Sequence, residues 1–418
     1  MKHCFAKRKK TRHGLADQES AGHGLADEES AGHGFAGRAF MKRLLPLLLA
    51  AVLFLPLLTG CAQGPAADGL GNGWKAERSM DLQFADRFAV DYYKDGYKLI
   101  SLADGSRFLV VPEGKTPPAG ISGTIVPLYQ PVEHIYLAAT AAMCLFDALG
   151  RLDAIELSGT KEDGWYIENA RTAMKEGRIL YAGKYSEPDY ELLISHHCPV
   201  AIESLMIGHA SEVRSKLEEL GIAVFTDQAS MESHPLGRTE WIKVYGALLN
   251  EEEKADELFA QQASYLDSVQ GEESSGKTVA FFHISSSGRV VARKSGDYVT
   301  KMIELAGGKY VFDDLGDSKT RTSTVNIEME QFFASAKDAD YLIYNSAIDG
   351  EIRSMDELLA KNSLLSEFKA VRDGNVWCTS ENMYQETMQL GQMIASFRRI
   401  FSGEADDLEE VPFLYRVK

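Results

Sequence analysis

Disulfide chemistry has little to work with in this chain: five cysteines stand among 418 residues, none in a CxxC spacing. Cys4 lies in a low-complexity stretch and Cys61 closes an apolar segment, which leaves Cys144, Cys198 and Cys378. An odd set of scattered thiols excludes a disulfide framework or zinc knuckle and reads as small buried hydrophobes, with one pair at most. Positive charge is also short. A formal net charge of -17, from 61 acidic and 44 basic residues, disfavours nucleic acid or an anionic lipid surface as the main partner and still permits a local basic pocket. After residue 60 no apolar run approaches the length of a membrane span. Catalytic signatures are missing too: no G-x-S-x-G elbow, no H-E-x-x-H helix, no phosphate loop between a strand and a helix. Ser285, Ser286 and Ser287 before Gly288 are a serine-rich turn that caps backbone or offers oxygens to a ligand. An enzyme is not the reading.

What is there begins at Met41. In MKRLLPLLLAAVLFLPLLTGCAQG, Lys42 and Arg43 precede a short apolar core from Leu44 to Leu58, and small residues lead to Cys61. This is the layout of an export signal, too short for a comfortable transmembrane helix. Leu58-Thr59-Gly60-Cys61 resembles the bacterial lipobox, which implies cleavage before Cys61 and lipid on its thiol. An ordinary cleaved signal with an incidental cysteine is the plainer alternative. Upstream, RHGLADQESAGHGLADEESAGHGFAGRAF repeats about every ten residues and holds too few large apolar side chains to bury a core. It reads as leader ahead of a start at Met41. His13, His23 and His33 in it have a chelator's spacing but nothing to fix geometry. The chain therefore divides into a leader (1–40), a signal (41–60), a flexible tether (61–80) and a globular remainder.

From Phe88 to Pro112, aromatic and aliphatic residues alternate with polar ones around Asp95-Gly96 and Asp104-Gly105, the pattern of a small antiparallel meander. Strands are expected near Thr124–Leu128, Ala154–Leu157, Ile179–Tyr181, Val200–Ile202 and Ala223–Thr226, with helices such as Ala139–Ala148 and His209–Leu220 between them. The repeated strand–helix order predicts a mostly parallel sheet covered on both faces. Thr239 to Val269 reads as one long helix, broken at most at Gly246 and a polar joint at Asn250–Glu253, and GEESSGK ends it. A second series follows, with strands at Val279–Ile284, Tyr341–Asn345 and Asn375–Thr379 and a last helix over about Thr387–Phe401. The fold class expected is α/β: an N-terminal meander, then two Rossmann-like lobes (81–250 and 272–418) joined by one helix (251–271).

Behind a lipobox, that order resembles the substrate-binding lipoproteins of ABC importers for ferric siderophores, haem and cobalamin. PDYELLISHHCPVAIES (Pro188–Ser204), KLEELGIAVFTD (Lys216–Asp227) and VYGALLNEEEKADELF (Val244–Phe259) are similar to the family's first-lobe and linker blocks. GDYVTKMIELAGGKYVFDD (Gly296–Asp314), VNIEMEQFFASAKDADYLIYN (Val325–Asn345) and FKAVRDGNVWCT (Phe368–Thr379) are similar to its second-lobe blocks. The likeness runs from about Phe88 to Phe401. It implies a monomer with no intrinsic cofactor, anchored by lipid at the extracytoplasmic face. It further implies capture of a ferric chelate, haem or cobalamin and delivery to a permease dimer served by a separate ATPase. It also implies one acidic docking residue on each lobe. Glu191 matches on the first; on the second the segment holds Glu328 and Glu330, and Glu330 is preferred. Carboxylates in a helix's first turn also offset the helix dipole whatever their partner.

In open α/β sheets a ligand sits beyond the carboxyl ends of the strands. On the first lobe this rule selects Tyr136, Thr140, Tyr181, Lys184, Tyr185, Glu203, Met206, His234 and Arg238. On the second it selects His283, Arg293, Lys294, Tyr298, Asn345, Trp377, Tyr384 and Gln385. Aromatic faces and guanidinium forks suit a large, partly apolar, anionic ligand; taken one at a time, each could equally be lobe core or solvated surface. The competing chemistry is capture of free zinc, manganese or iron, with His209, His234 and His283 as ligands. His196 and His197, adjacent in an expected helix, would point in different directions and could not share an ion.

Overall fold

The computed structural model describes residues 70–418 apart from 72, 272, 313 and 317–322. Cys61, the apolar segment before it and the histidines of the repeat lie outside the described residues.

The first sheet has five strands in chain order, Arg78–Ser79, Phe88–Tyr92, Lys98–Leu102, Arg107–Val111 and Ile125–Tyr129. Its first tight turn uses left-handed backbone at Asp95 (φ 63°) and Gly96 (φ 85°), the geometry for which Asp-Gly is selected. Alternation then splits the sheet. Phe88, Val90, Ile100, Phe108 and Val110 join the core of the first lobe, while Tyr93, Tyr97, Leu99, Leu109 and Val111 face a separate cluster with Leu70. One expectation changes here: the strand at Ile125–Tyr129 belongs to this sheet, parallel to Arg107–Val111, not to the lobe that follows.

That lobe carries a five-stranded parallel sheet in the order Ala223–Thr226, Val200–Glu203, Ile135–Leu137, Ile155–Ser158, Leu180–Tyr181. Helices cover both faces, so the strands are largely apolar: Ile135, Leu137, Val200 and Ile202 pack on one side, Tyr136, Leu157 and Ala201 on the other. In the second lobe Thr278–Ile284, Tyr341–Tyr344 and Val376–Thr379 run parallel. The sheet is nevertheless mixed, because Val290–Arg293, Thr324–Ile327 and Leu414–Arg416 are antiparallel to their neighbours. The serine-rich stretch is the cause: Ser285 N–H donates to the Arg289 carbonyl (2.9 Å) and Gly288 turns at φ 80°, which makes a hairpin.

The expected single helix from Thr239 to Val269 is three: Pro235–Glu240, Ile242–Leu249 and Glu252–Val269. Asn250 ends the second in left-handed backbone (φ 60°), and its Oδ1 accepts from Lys98 Nζ and Gln130 Nε2, each at 2.7 Å. Residues 252–269 alone form the interlobe helix, 18 residues or about 27 Å long. Close packing holds it against both lobes. A Cβ on Gly246 would meet Ala255 Cβ at 2.7 Å, and one on Gly391, in the last long helix Leu390–Ser402, would meet the Gln262 carbonyl at 2.2 Å. Downstream, residues 271–278 spell G-x-x-x-x-G-K-T, but the stretch leaves a helix and enters a strand, the reverse of the order a phosphate loop needs.

The connection between the meander's first two strands is pinned by carboxylates. Glu240, fully buried, accepts from the N–H groups of Gln83, Phe84 and Ala85 at 2.8–3.1 Å and pairs with Lys243 at 3.1 Å. Glu232 accepts from Asp86, Arg87 and the Trp241 indole at 2.9–3.1 Å. Five consecutive backbone donors with no strand partner are thereby satisfied.

Candidate functional site

The carboxyl ends of both sets of parallel strands supply the residues that meet across the seam between the lobes. Gln385 lies in the loop after Val376–Thr379; its Oε1 accepts from Tyr166 N–H and its Nε2 donates to the Gly164 carbonyl, both at 2.8 Å. Thr239 Oγ1 donates to the Thr387 carbonyl at 2.9 Å. The Arg238 guanidinium stacks 3.7 Å above the Tyr298 ring, a cation–π contact between lobes. Gln385 thus spends both amide atoms on holding the lobes together.

Two guanidinium groups from opposite lobes share this seam. On the second lobe Arg293 donates to the Tyr384 hydroxyl and lies 3.6 Å from Asp297, whose carboxylate also caps the next helix through Val299 N–H (3.0 Å). On the first, Arg238 donates to the Ser230 carbonyl at 2.6 Å, and its Nε is buried with no partner. Asp227, the nearest first-lobe acid, is committed to the Tyr245 hydroxyl and the Ala229 N–H; burial still pushes its carboxyl up. A cavity of about 80 Å³ lies here, lined by Thr140, Ser204, Asp227, Ser230, Arg238 and Thr387 among others. Its walls are more apolar than polar, with Ala139, Ala141 and Ala229 among them, and the partnerless Arg238 Nε is the feature that suits an oxyanion.

The other expected residues divide by environment. Tyr181, Lys184 and Met206 are exposed and Tyr185 half-buried near the first-lobe strand ends; Lys184 lies 3.8 Å from Glu187. Tyr136 is instead fully buried, its hydroxyl donating to the Gly183 carbonyl at 2.9 Å. Trp377 is fully buried beneath the Arg416 guanidinium, 4.7 Å from its ring. Both are core, because the strand-end rule does not say which face a side chain takes. Lys294 and Asn345 are buried at their strand ends.

His234 caps the helix Pro235–Glu240 by accepting from Leu236 N–H (3.1 Å) and stacks on Phe84 at 4.2 Å; burial, then Lys301, lowers its pKa to about 4. His283 is buried within a strand, which lowers its pKa as well. His209 is exposed at the end of a short turn. Among the described residues no three His, Cys, Asp or Glu are grouped to hold an ion. The pair His196-His197 ends a helix instead of lying in one. His196 Nδ1 sits 2.8 Å from Glu156, whose other oxygen meets His134 Nδ1 at 2.5 Å, and His197 adopts φ 54°. Cys144, Cys198 and Cys378 are free buried thiols, and burial raises the first two to about 12 and 11.

Sequence reasoning missed Gly164–Tyr166, an irregular loop whose partner lies more than two hundred residues away, and Thr387 and Asp227. It also missed what Glu203 shows. This residue ends the strand Val200–Glu203 fully buried, neither carboxylate oxygen has a partner, and burial alone raises its pKa to about 8. A folded pKa above the unfolded value means stability present below about pH 4.5 and lost as pH rises toward 8. Glu203→Gln is therefore expected to be more stable than the parent above neutrality, by on the order of a few kcal/mol. The gap should close by pH 5, as urea denaturation at several pH values would record.

The sequence profile of the periplasmic binding protein family matches residues 149–382, more than half of the chain. An uncharacterized lipoprotein of Methanocaldococcus jannaschii is 23% identical over 401 residues, spanning 87% of this chain and 94% of that one. Among solved structures, the TroA-like periplasmic binding protein FepB from Veillonella parvula aligns with a TM-score of 0.53 and 15% identity, covering 69% of this chain and 96% of the other. The periplasmic heme binding protein HutB of Vibrio cholerae aligns at 0.51 and 17%, covering 63% and 97%. At these identities the structural likeness establishes the fold, two α/β lobes joined by a long helix. The meander, residues 78–129, lies outside the matched stretch. With its profile match and its two-lobed architecture, the chain belongs to the periplasmic binding protein family.

Proposed function

We propose that this protein is the membrane-anchored solute receptor of an ABC importer for a ferric siderophore, haem or cobalamin, with lipid on Cys61 as its anchor. As a member of a non-catalytic, solute-binding family it acts outside the cytoplasm and performs no chemistry on its cargo. The observation that supports the ligand class is the arginine pair at the seam: Arg238, which lines the small cavity and has a buried Nε without a partner, and Arg293 on the opposite lobe, held by Tyr384 and Asp297. Arg238, Arg293, Tyr298 and Tyr384 grip oxygens of the chelate, and Tyr181, Lys184, Tyr185 and Met206 line the mouth. Capture of free metal finds no support in the scattered His209, His234 and His283.

The cavity is far smaller than the roughly 300–1,000 Å³ of a drug-sized ligand site. Cargo must therefore part the seam at Gln385 and Thr239 as it enters, while the interlobe helix limits the motion to a small hinge. Delivery uses one acid on each lobe. Glu191 is exposed in the first turn of Tyr190–Ser195, and Glu330 is exposed in the first turn of Met329–Ala336. Glu328 is engaged by Arg289 at 3.0 Å, which favours Glu330 as the docking acid.

Two measurements test this reading. A thermal-shift panel of ferric siderophores, haem, cobalamin and free zinc, manganese and iron should show stabilisation by one chelate or corrinoid; a ligand at a hundred times its Kd adds about 2.7 kcal/mol. A shift with free metal alone would move the assignment to metal capture. In uptake assays with the cognate permease, Glu191→Ala combined with Glu330→Ala should cut transport about tenfold or more while ligand affinity stays unchanged. Intact uptake would remove the docking role.

A further inference from the structure

Beside the small cavity the first lobe exposes two methionines. Met206 follows the strand Val200–Glu203 by three residues and Met231 follows Ala223–Thr226 by five; the strands are paired, Glu203 against Thr226. Paired strands lie about 4.8 Å apart, so the two loops leave the sheet side by side. Each methionine sits next to the cavity wall, Met206 two residues after Ser204 and Met231 one after Ser230. Their side chains are open to solvent, at 45% and 38% exposure. Their backbones are fixed, Met206 N–H on Ser204 Oγ at 3.3 Å and Met231 N–H on the Gln228 carbonyl at 2.8 Å. Single exposed hydrophobes are ordinary. Two flexible thioethers on anchored, adjacent loops, each within two residues of the wall of the cavity that Arg238 also lines, are not scattered surface.

We propose that Met206 and Met231 form an adaptable apolar platform at the cleft mouth, and that the cargo is an amphiphilic organic anion. This rests on the importer reading above and narrows its ligand class. The cavity of about 80 Å³ admits one oxyanion group against Arg238 and leaves the rest of the ligand outside. The surface on which that remainder comes to rest is thioether. Unbranched, polarizable methionine conforms to aromatic and aliphatic bodies alike, and burying it by contact with such a body is favourable in proportion to the area covered. A chelate with carboxylates but no apolar body satisfies Arg238 and gains nothing from the platform.

The test uses the full chain in lipid nanodiscs, with empty discs as the blank, and two probes. Haem carries carboxylates on an apolar ring; ferric citrate carries carboxylates alone. The parent should bind haem much more tightly than ferric citrate. Met206→Ser combined with Met231→Ser should weaken haem about tenfold or more, leave ferric citrate unaffected and leave the melting temperature unchanged. Should the serine pair prove unstable, Met206→Gln with Met231→Gln keeps the side-chain length and serves the same comparison. Unchanged haem affinity in a folded variant overturns the platform while the importer reading stands. So does a parent that binds ferric citrate as tightly as haem, or that binds neither. Haem affinity unchanged together with lost delivery to the permease would give the methionines to that partner and overturn the ligand assignment.

Discussion

Everything at the seam depends on how the helix Glu252–Val269 is seated. It touches the first lobe where Gly246 lets Ala255 approach and the second where Gly391 lies on the Gln262 carbonyl, and a side chain at either glycine would collide within 2.7 Å. Packed interiors are bistable rather than continuously deformable, so the lobes have few ways to move against each other. Asn250 sets the angle at which this helix leaves its predecessor, and Lys98 and Gln130 hold Asn250. Meander, first lobe and linker are tied together through Asn250, and the linker is packed as closely on the second lobe at Gly391.

Charge in this body is spent with a clear division. Most acids near the first-lobe core are committed, Glu240 and Glu232 to the backbone of residues 83–87 and Asp227 to Tyr245; Glu203 is the exception, buried with neither oxygen partnered. Asp297 is shared between a helix cap and Arg293. At the seam the Arg238 Nε is without a partner, in a chain whose net charge is strongly negative. A local basic site within an acidic protein selects an anion by short-range geometry rather than by long-range attraction, which salt would screen over about 10 Å.

Much of the architecture was legible because its signals are local. Asp95-Gly96 named a turn, alternation named the meander, and Ala223–Thr226 was read to the residue. The long helix was read too long because helical periodicity continues across Asn250, and only the tertiary grip of Lys98 and Gln130 shows why the chain turns there. The second lobe's antiparallel strands were missed because the hairpin at Ser285–Arg289 is written in serines. Arg238, Arg293, Tyr298 and Tyr384, selected by the strand-end rule, lie at the seam between the lobes. Tyr136 and Trp377 were chosen by the same rule and lie in cores, since a strand end does not reveal its buried face. Gln385, selected as a ligand contact, bonds Gly164 and Tyr166 across the seam, partners joined to it by folding alone.

The account stands on the arginine pair as the grip on cargo. The most direct measurement is the equilibrium affinity for whichever chelate stabilises the parent, compared among the parent, Arg238→Gln, Arg293→Gln and the double variant. The account expects each single change to weaken binding by about tenfold or more and the two to be less than additive, because both grip one anion. Affinity untouched by the double change, in a protein that still melts cooperatively, would contradict it.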